Sequence, residues 1–590
     1  MSDFIYSSVP QPEALLSGHI QSIYQNNPPE VFEYHGDWGS LAVSRSLYNG
    51  FQPLETESHI FVVIGGPVLC FTDNLFLTGD DPTRGIQAIY DRWISEKIQW
   101  DEDLSGPFAV LIVDKKSLKI TCITDLMMFI PVYQYIHDGR VMLGTHVDAL
   151  AKAAGQENEL DSVSLVDFVL NDVVTYPHTA YTRIFQSHPA ATQIFEPAGQ
   201  GFRKTDPVAY WLPEEVNPYS DINQAASVLR DGLQDYVARV TEGMTTVAQF
   251  ISGGEDSRTL AGLLPKKLKR DAFIFLDSMN REGLIAKQVA EVYDANFCPE
   301  FRKKTHYLDI LSEATDLIGS GQQYVHAHSL RFHEKCRLNR YDAVFGGYLS
   351  DSLLKAAYTK KVRGHGRFPF LPEIFVSGET RSEPLKNLLC NDDILKQIDC
   401  RRKVHLEYIQ TFRKTSTHEW FVLWPVTMRV AIPNLYSNRR LFRSYEPIMC
   451  KQSVKVSASV PTSWKLNRRL FNKMARPFLR PSRWIFHADG RLPYFPWWVN
   501  CPVQFVVWFT RQIRTRTGMI KGNQGPWGDW IWISGCEKWR EMVAEYSKGF
   551  PKIAKSMKSN DIEKIFESKE LNVIQKVNLL QVLYKLSRNI

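Results

Sequence analysis

A chain of 590 residues is too long for one hydrophobic core, because single cores stop growing near about 250–300 residues, so at least two domains are expected. Hydrophobic content of 44% and charged content of 23% exclude a disordered or fibrous chain. The net charge of +6 is mild for this much surface and does not signal a nucleic-acid binder, which would show a concentrated basic face.

In chain order, the first part is β-rich. The run 61–64 is closed by Gly65-Gly66-Pro67, and the stretches 108–114 and 118–125 flank Lys115-Lys116-Ser117 as a hairpin. An Ala-rich helix over 148–154 and a short helix over 162–170 follow, then strands and loops over 177–207. After about Trp211 the texture changes. Apolar residues at 226, 229, 233, 237 and 240 repeat with a helical period over 223–241. Strand 246–251, a Gly-rich turn, helix 256–264, strand 272–276, helix 285–292 and strand 343–345 then read as a parallel α/β sheet. From about Leu353 the chain is mostly helical.

The nine cysteines are odd in number and contain no C-x-x-C pair, which argues against a zinc ribbon or a paired redox motif. The first residues lack a signal-peptide pattern. The most apolar late stretch, 497–509, holds Asn500 and Gln504 and is shorter than the roughly 18 apolar residues of a membrane span. A reducing cytoplasm is the expected compartment, with neither nucleic acid nor a membrane span.

The chemistry concentrates in one strand-to-helix turn, Ile251-Ser252-Gly253-Gly254-Glu255-Asp256-Ser257. Two adjacent glycines let backbone N–H groups close on an anion, and the following helix directs its positive end at the same point. Ser252 and Ser257 add hydroxyls, and Asp256 is a Mg²⁺ ligand candidate. No Lys follows the glycines, so this is not the loop that works on a terminal phosphoryl group.

That turn resembles the pyrophosphate loop of the asparagine synthetase family, whose relatives include β-lactam synthetases and lasso-peptide cyclases. Leu104 to Ala109, Asp125 and Pro131-Val132-Tyr133 resemble landmarks of the family's N-terminal glutaminase-type domain, and Gly347-Tyr348-Leu349-Ser350-Asp351 resembles its second ATP-site loop. Residues 439–461 and 465–479 resemble its late helical region. The resemblance implies an α/β chain in two parts. Residues 1–205 would form a class II glutamine-amidotransferase-like αββα sandwich. Residues 206–590 would form an adenine-nucleotide α-hydrolase-like parallel synthetase domain with a helical extension. It also implies ATP and Mg²⁺ as cofactors, with Ser252, Gly253, Gly254, Asp256 and Ser257 cradling pyrophosphate and Asp256 and Asp351 ligating the metal. Phe250, Leu276 and Gly347 would line the adenine site.

Three positions depart from that pattern. Glutamine-hydrolysing members expose a Cys as first mature residue, where this chain has Ser2, a far weaker nucleophile. The glutamine-binding signatures are also missing, so an inactive glutaminase scaffold is expected. Asparagine synthetases carry a Glu where this chain has Tyr348. That is closer to β-lactam synthetases, which pair a Tyr with a later Glu, and Glu419 is the candidate partner, since a phenol needs an orienting carboxylate to act as a base. The family's late catalytic Lys has two candidates, Lys465 by identity and Arg468 by position; a solvated basic helix face is the competing reading.

His326, His328 and His333 lack the company of further metal ligands and read as structural or pocket residues. Trp497, Trp498 and Trp508, followed by Arg511, Arg514 and Arg516, read as a buried helix with a basic cap in preference to an interfacial one. The closing helix, 571–586, reads as packing or a homodimer surface. The expectation is an ATP-dependent ligase that adenylates a small-molecule or peptide carboxylate and joins it to an amine. The alternatives are asparagine synthetase proper and a nucleotide-binding pseudoenzyme or partner protein, the latter favoured by Glu255 and the uncertain cation.

Overall fold

Strand alternation sets the first layers. A computed structural model describes residues 3–199, 201–362, 368, 370–375, 385–519 and 523–588. In the first sheet, strands Phe4–Ser7, Gly39–Ser44 and Arg140–Gly144 lie side by side and antiparallel. Ile5, Ala42 and Met142 point to one face, where they pack with Leu16, Ile20 and Leu150 of two helices. Tyr6, Leu41 and Leu143 point to the other, where they meet Val62, Ile64 and Leu111 of a second antiparallel sheet. That second sheet is covered in turn by helix Arg84–Ile94, whose Tyr90 ring lies 5.6 Å from Phe61. Period-two side chains thus build helix, sheet, sheet and helix layers, the expected αββα sandwich. The expected hairpin is present, as strands Phe108–Asp114 and Ile120–Thr124.

The second sheet system is wholly parallel. Its order is Asn296–Phe301, Lys269–Leu276, Thr246–Phe250, Ala343–Phe345, Ser444–Tyr445. Helix Ile222–Val240 leads into it, capped by the Asp221 carboxylate on two backbone N–H groups. Helices Glu255–Leu263 and Arg281–Val292 follow the first two strands. The strand order reverses between Thr246–Phe250 and Ala343–Phe345, and in such sheets ligands sit beyond the carboxyl ends of the strands at that reversal.

One assignment of the sequence reading changes and another narrows. Helix Trp497–Arg516 is not a buried helix: among its residues only Asn500 and Gln504 are buried, while Trp498, Phe505 and Phe509 are exposed. The closing helix, Val573–Arg588, buries Val577, Leu580 and Leu583 within the chain, and Asn578 donates to the Phe168 carbonyl at 3.3 Å. Those side chains are therefore packing, unavailable to a second copy.

The two sheet systems are joined by a buried ion pair. Asp3 accepts from Arg440 at 2.7 and 2.9 Å and from Thr145 at 2.8 Å, and Arg439 lies 3.8 Å away. All three charged groups are buried. Arg440 therefore holds the Asp3 carboxyl well below the usual carboxylate range, against the opposing effect of burial. Removing one partner of such a pair leaves an uncompensated charge, so Arg440→Ala should destabilise the protein by about 3–5 kcal/mol. The double variant Asp3→Asn/Arg440→Ala should recover part of that loss; thermal unfolding of both variants checks it.

Candidate functional site

Both loops singled out in the sequence stand at the strand reversal. The first runs from the end of Thr246–Phe250 into helix Glu255–Leu263, and the second runs from Ala343–Phe345 into helix Ser350–Leu354. They touch. A Cβ on Gly347 would lie 3.2–3.3 Å from atoms of Asp256, so the two loops approach closely there and a side chain would crowd the contact. Leu349 sits in the left-handed region at φ 72°, an uncommon conformation for a branched side chain.

The loop amides are satisfied from within the chain. Gly253 N–H donates to the Glu282 carboxylate at 2.7 Å, Gly254 N–H to Ser252 Oγ at 3.0 Å, and Ser252 N–H to Ser257 Oγ at 3.1 Å. An anion thus rests on the turn, and it is the protein's own. Burial pushes the Glu282 carboxyl above its ordinary value, an effect the Gly253 N–H opposes. Arg258, buried and absent from the sequence reading, fixes the turn from behind by donating to the carbonyls of Gly253, Ile485 and Phe486 at 3.0, 2.7 and 2.7 Å.

Carboxylates converge on the other side. Oxygens of Glu255, Asp256 and Asp351 lie within 4.8 Å of one another, the one such group among the described residues. Lys355, one turn after Asp351, places its ammonium among them, 2.8 Å from Glu255, 2.9 Å from Asp351 and in contact with Asp256. Burial together with Asp351 and Glu255 raises the Asp256 carboxyl, against the pull of Lys355. Mg²⁺ takes carboxylate oxygens, usually one or two of them with water and phosphate completing its shell, so the residues fit the metal in kind. The space between them already holds one positive charge.

Two arginines complete the cluster. Arg468 donates to Glu255 at 3.0 Å and Arg491 lies 3.3 Å from its other oxygen. Asn467 and Arg468 are consecutive left-handed residues, at φ 54° and 57°, a strained turn that aims the guanidinium at Glu255. Arg468 and Arg491 line a cavity with Glu255, Phe495, Asn500 and Gln504. Lys465 points elsewhere: fully enclosed, it donates to Glu419 at 3.0 Å. The structure brings Arg468, not Lys465, to the loops.

Tyr348 and Glu419 are not partners. The Tyr348 hydroxyl contacts Arg429, whose guanidinium also covers the ring at 4.4 Å, and burial raises the phenol well above its ordinary range. One Glu419 oxygen accepts from Lys465 and the other is buried without a hydrogen bond. Phe250 packs edge-on against Phe275 and Phe442 at 5.8 and 6.1 Å. Leu276 is buried, its carbonyl accepting from Arg302 N–H at 2.7 Å. His326 meets Gln323 at 3.1 Å and His328 stacks on Trp527 at 4.3 Å. Ser2 lies outside the described residues.

Glu446, another residue the sequence reading missed, follows the edge strand Ser444–Tyr445. Its carboxyl accepts Tyr348 N–H at 2.9 Å and fills the space beside Gly346, where a Cβ would come within 2.1 Å. Burial pushes it up to about 8.

Comparison with known proteins adds one family. Residues 47–210 match the model of the glutamine amidotransferase domain, a minority of the chain. Curated proteins give no match. Among solved structures, the NMN synthetase from Francisella tularensis is 16% identical over 24% of this chain and 60% of that one, with a TM-score of 0.18. The allosteric regulatory enzyme of purine biosynthesis is 10% identical over 42% of this chain and 54% of its own, at 0.21. The glutamine PRPP amidotransferase from B. subtilis is 7% identical over 53% and 92%, at 0.22. The chain thus spans less than two thirds of the first two, and at such TM-scores the three likenesses carry no argument. What stands is an N-terminal part similar to the glutamine amidotransferase domain in sequence, followed by a parallel sheet.

Two outcomes follow from this electrostatic arrangement. Lys355→Met should raise the affinity for Mn²⁺, used as a Mg²⁺ probe, by roughly tenfold or more, since a unit charge at about 4 Å near a surface is worth on the order of 4 kcal/mol. Titration calorimetry reads the change, and the variant should also melt earlier because three carboxylates lose their counter-ion. The second concerns Glu446. Its carboxyl is neutral in both states below pH 4.5, ionises only in the unfolded chain between 4.5 and about 8, and ionises in both above that. Stability should therefore fall as pH rises through that window, by up to about 1.4 kcal/mol per unit. Glu446→Gln should remove that part of the slope in unfolding measured from pH 5 to 9.

Proposed function

We propose that this chain is an ATP-dependent ligase of the asparagine synthetase type. A substrate carboxylate oxygen bonds to the α-phosphorus of ATP as pyrophosphate leaves. An amine nitrogen then bonds to the acyl carbon as AMP leaves and the nitrogen gives up a proton. The observation that carries this reading is the meeting of the Ser252–Ser257 turn and the Gly347–Asp351 loop at the strand reversal, with Asp256 and Asp351 joined there through Lys355. In this reading Ser252, Gly253, Gly254 and Ser257 hold the departing phosphates once Glu282 withdraws. Asp256 and Asp351, with Glu255 beside them, hold Mg²⁺, which neutralises phosphate charge when bound. Arg468 and Arg491 face the cavity and stabilise the charge that develops on the transferring group.

The match at 47–210 supports an amidotransferase-type N-terminal part, but the nitrogen source in this reading is not glutamine hydrolysed there. The residue after Ser2 is clamped by Arg440, which ties that end of the first sheet to the second sheet system. The amine would then be internal to the substrate, a second substrate, or ammonia. Tyr348, standing where asparagine synthetases carry a Glu, supports a substrate other than aspartate.

A second reading is a nucleotide-binding or ligand-free partner protein. Glu282 on the Gly253 amide and Lys355 among the carboxylates favour it, because both charges a nucleotide–metal complex would bring are already supplied. Exchange of labelled pyrophosphate into ATP, run across a panel of amino acids and peptides, separates the two. The ligase reading requires exchange with at least one carboxylate and its loss in Asp256→Ala with the fold retained. Exchange that survives in Asp256→Ala would remove Asp256 from the machinery, and no exchange with any carboxylate would leave the partner reading.

A further inference from the structure

Residues 476–519 hold seven arginines and a single acidic residue, Asp489. Asp489 is already paired, 2.7 Å from Arg491 and 2.9 Å from His487. Within this basic stretch, helix Trp497–Arg516 packs the wrong way round for a soluble helix. Its inner face is polar: Asn500 donates to the Leu492 and Phe495 carbonyls at 3.0 and 2.9 Å and accepts Leu492 N–H at 2.7 Å, and Gln504 is buried beside it. Its outer face carries Trp498, Phe505, Val506, Phe509 and Ile513, at 65%, 47%, 59%, 51% and 46% exposure. At 100° per residue these five fall within an arc of roughly 100°, a continuous apolar stripe turned to solvent. Arg516 falls within the same arc, and Arg514 is exposed near the same end of the helix.

Further exposed aromatic surface precedes the helix in the chain. Trp484 is 67% exposed, lies 5.2 Å from the Phe495 ring and carries the Arg483 guanidinium at 6.0 Å. Arg476 sits 5.2 Å over Tyr494, which itself stacks edge-on with Phe495. A contiguous exposed apolar patch of this kind marks an interaction surface.

We propose that this face docks on the surface of an anionic lipid bilayer, with helix Trp497–Arg516 lying in the headgroup plane. The charge argues for that occupant: arginines and tryptophans around an apolar stripe match anionic headgroups above hydrocarbon. It argues against a second copy, because two such faces would bring their exposed arginines together with almost no counter-charge. The helix lies on the bilayer and does not cross it, since no described helix is long and apolar enough to span a membrane. The inner edge of the same helix, at Asn500 and Gln504, lines the cavity of Arg468 and Arg491, so docking sets that cavity at headgroup level. The docking stands whether or not the ligase reading does.

Sedimentation of the full chain with vesicles tests it. Vesicles of phosphatidylcholine with about one third phosphatidylglycerol should pellet the protein, and pure phosphatidylcholine should not. Raising salt from about 0.1 to 0.5 M should weaken binding several-fold by screening. Trp498→Ser/Phe505→Ser/Phe509→Ser should lower partitioning at least tenfold with an unchanged melting temperature. Arg514→Gln/Arg516→Gln, two exposed positions, should lower it several-fold and flatten the salt dependence, which keeps the test decisive if the triple variant misfolds. Three results would overturn the proposal: no pelleting with anionic vesicles, variants that bind like the parent, or a dimer in light scattering that the triple variant converts to monomer without lipid.

Discussion

Glu255 is the point on which the candidate site is hung. A carboxylate at 2% exposure is tolerable only if its charge is met, and three cations from three parts of the chain meet it. Lys355 comes from the helix after the second loop, Arg468 from a strained turn, and Arg491 from the segment that also packs on Gly253 through Ala488. Each partner is thereby fixed relative to the first loop. The strain at Asn467 and Arg468 persists because Glu373 grips Asn467 through both backbone and side chain, at 2.7–3.0 Å. The geometry of the cavity is in this sense electrostatic before it is hydrophobic.

The first sheet system is coupled to the second by the same device, a buried carboxylate held by arginine, here Asp3 with Arg440. Arg440 belongs to helix Pro433–Leu441, which leads into Ser444–Tyr445, the edge strand of the parallel sheet, and so to Glu446 beneath the second loop. A continuous stretch of chain therefore runs from the amino-terminal strand to the floor of the candidate site. Trp424 reinforces the junction by donating to the Leu126 carbonyl at 2.9 Å.

Much of the parallel sheet is legible in the sequence because buried strands are apolar runs and the intervening helices repeat at 3.6. Helix Ile222–Val240 and strand Thr246–Phe250 fall within a residue or two of their expected bounds. Two strands escape for physical reasons. Asn296–Phe301 is an edge strand carrying Pro299 and Glu300, and Ser444–Tyr445 pairs over only two residues, so neither shows a pattern. The loops are legible through their glycines and acids, whereas their partners are not. Lys355, Arg258, Glu282 and Glu446 act through contacts 99, 227, 29 and 98 residues away in sequence or through burial, and no local spacing encodes that. The exposed face of helix Trp497–Arg516 was read as core because apolar composition does not say which side faces the protein; Asn500 and Gln504, four residues apart, were the sign that the polar side faces inward.

The internal partners bear on what binding would mean. Glu282 supplies an anion at the Gly253 amide, and Lys355 supplies a cation among the acidic groups; together they reproduce the two charges that a nucleotide–metal complex carries. A ligand of that kind would exchange with them, so its affinity would be a difference between two sets of interactions and not the sum of new ones. Glu282 is suited to leave, since burial already raises its carboxyl and its release would return a charge to water. Lys355 is less so, because three carboxylates hold it and raise its own basicity. The cation position is therefore the tighter of the two, and occupancy of the anion position by phosphate would precede any change at the metal.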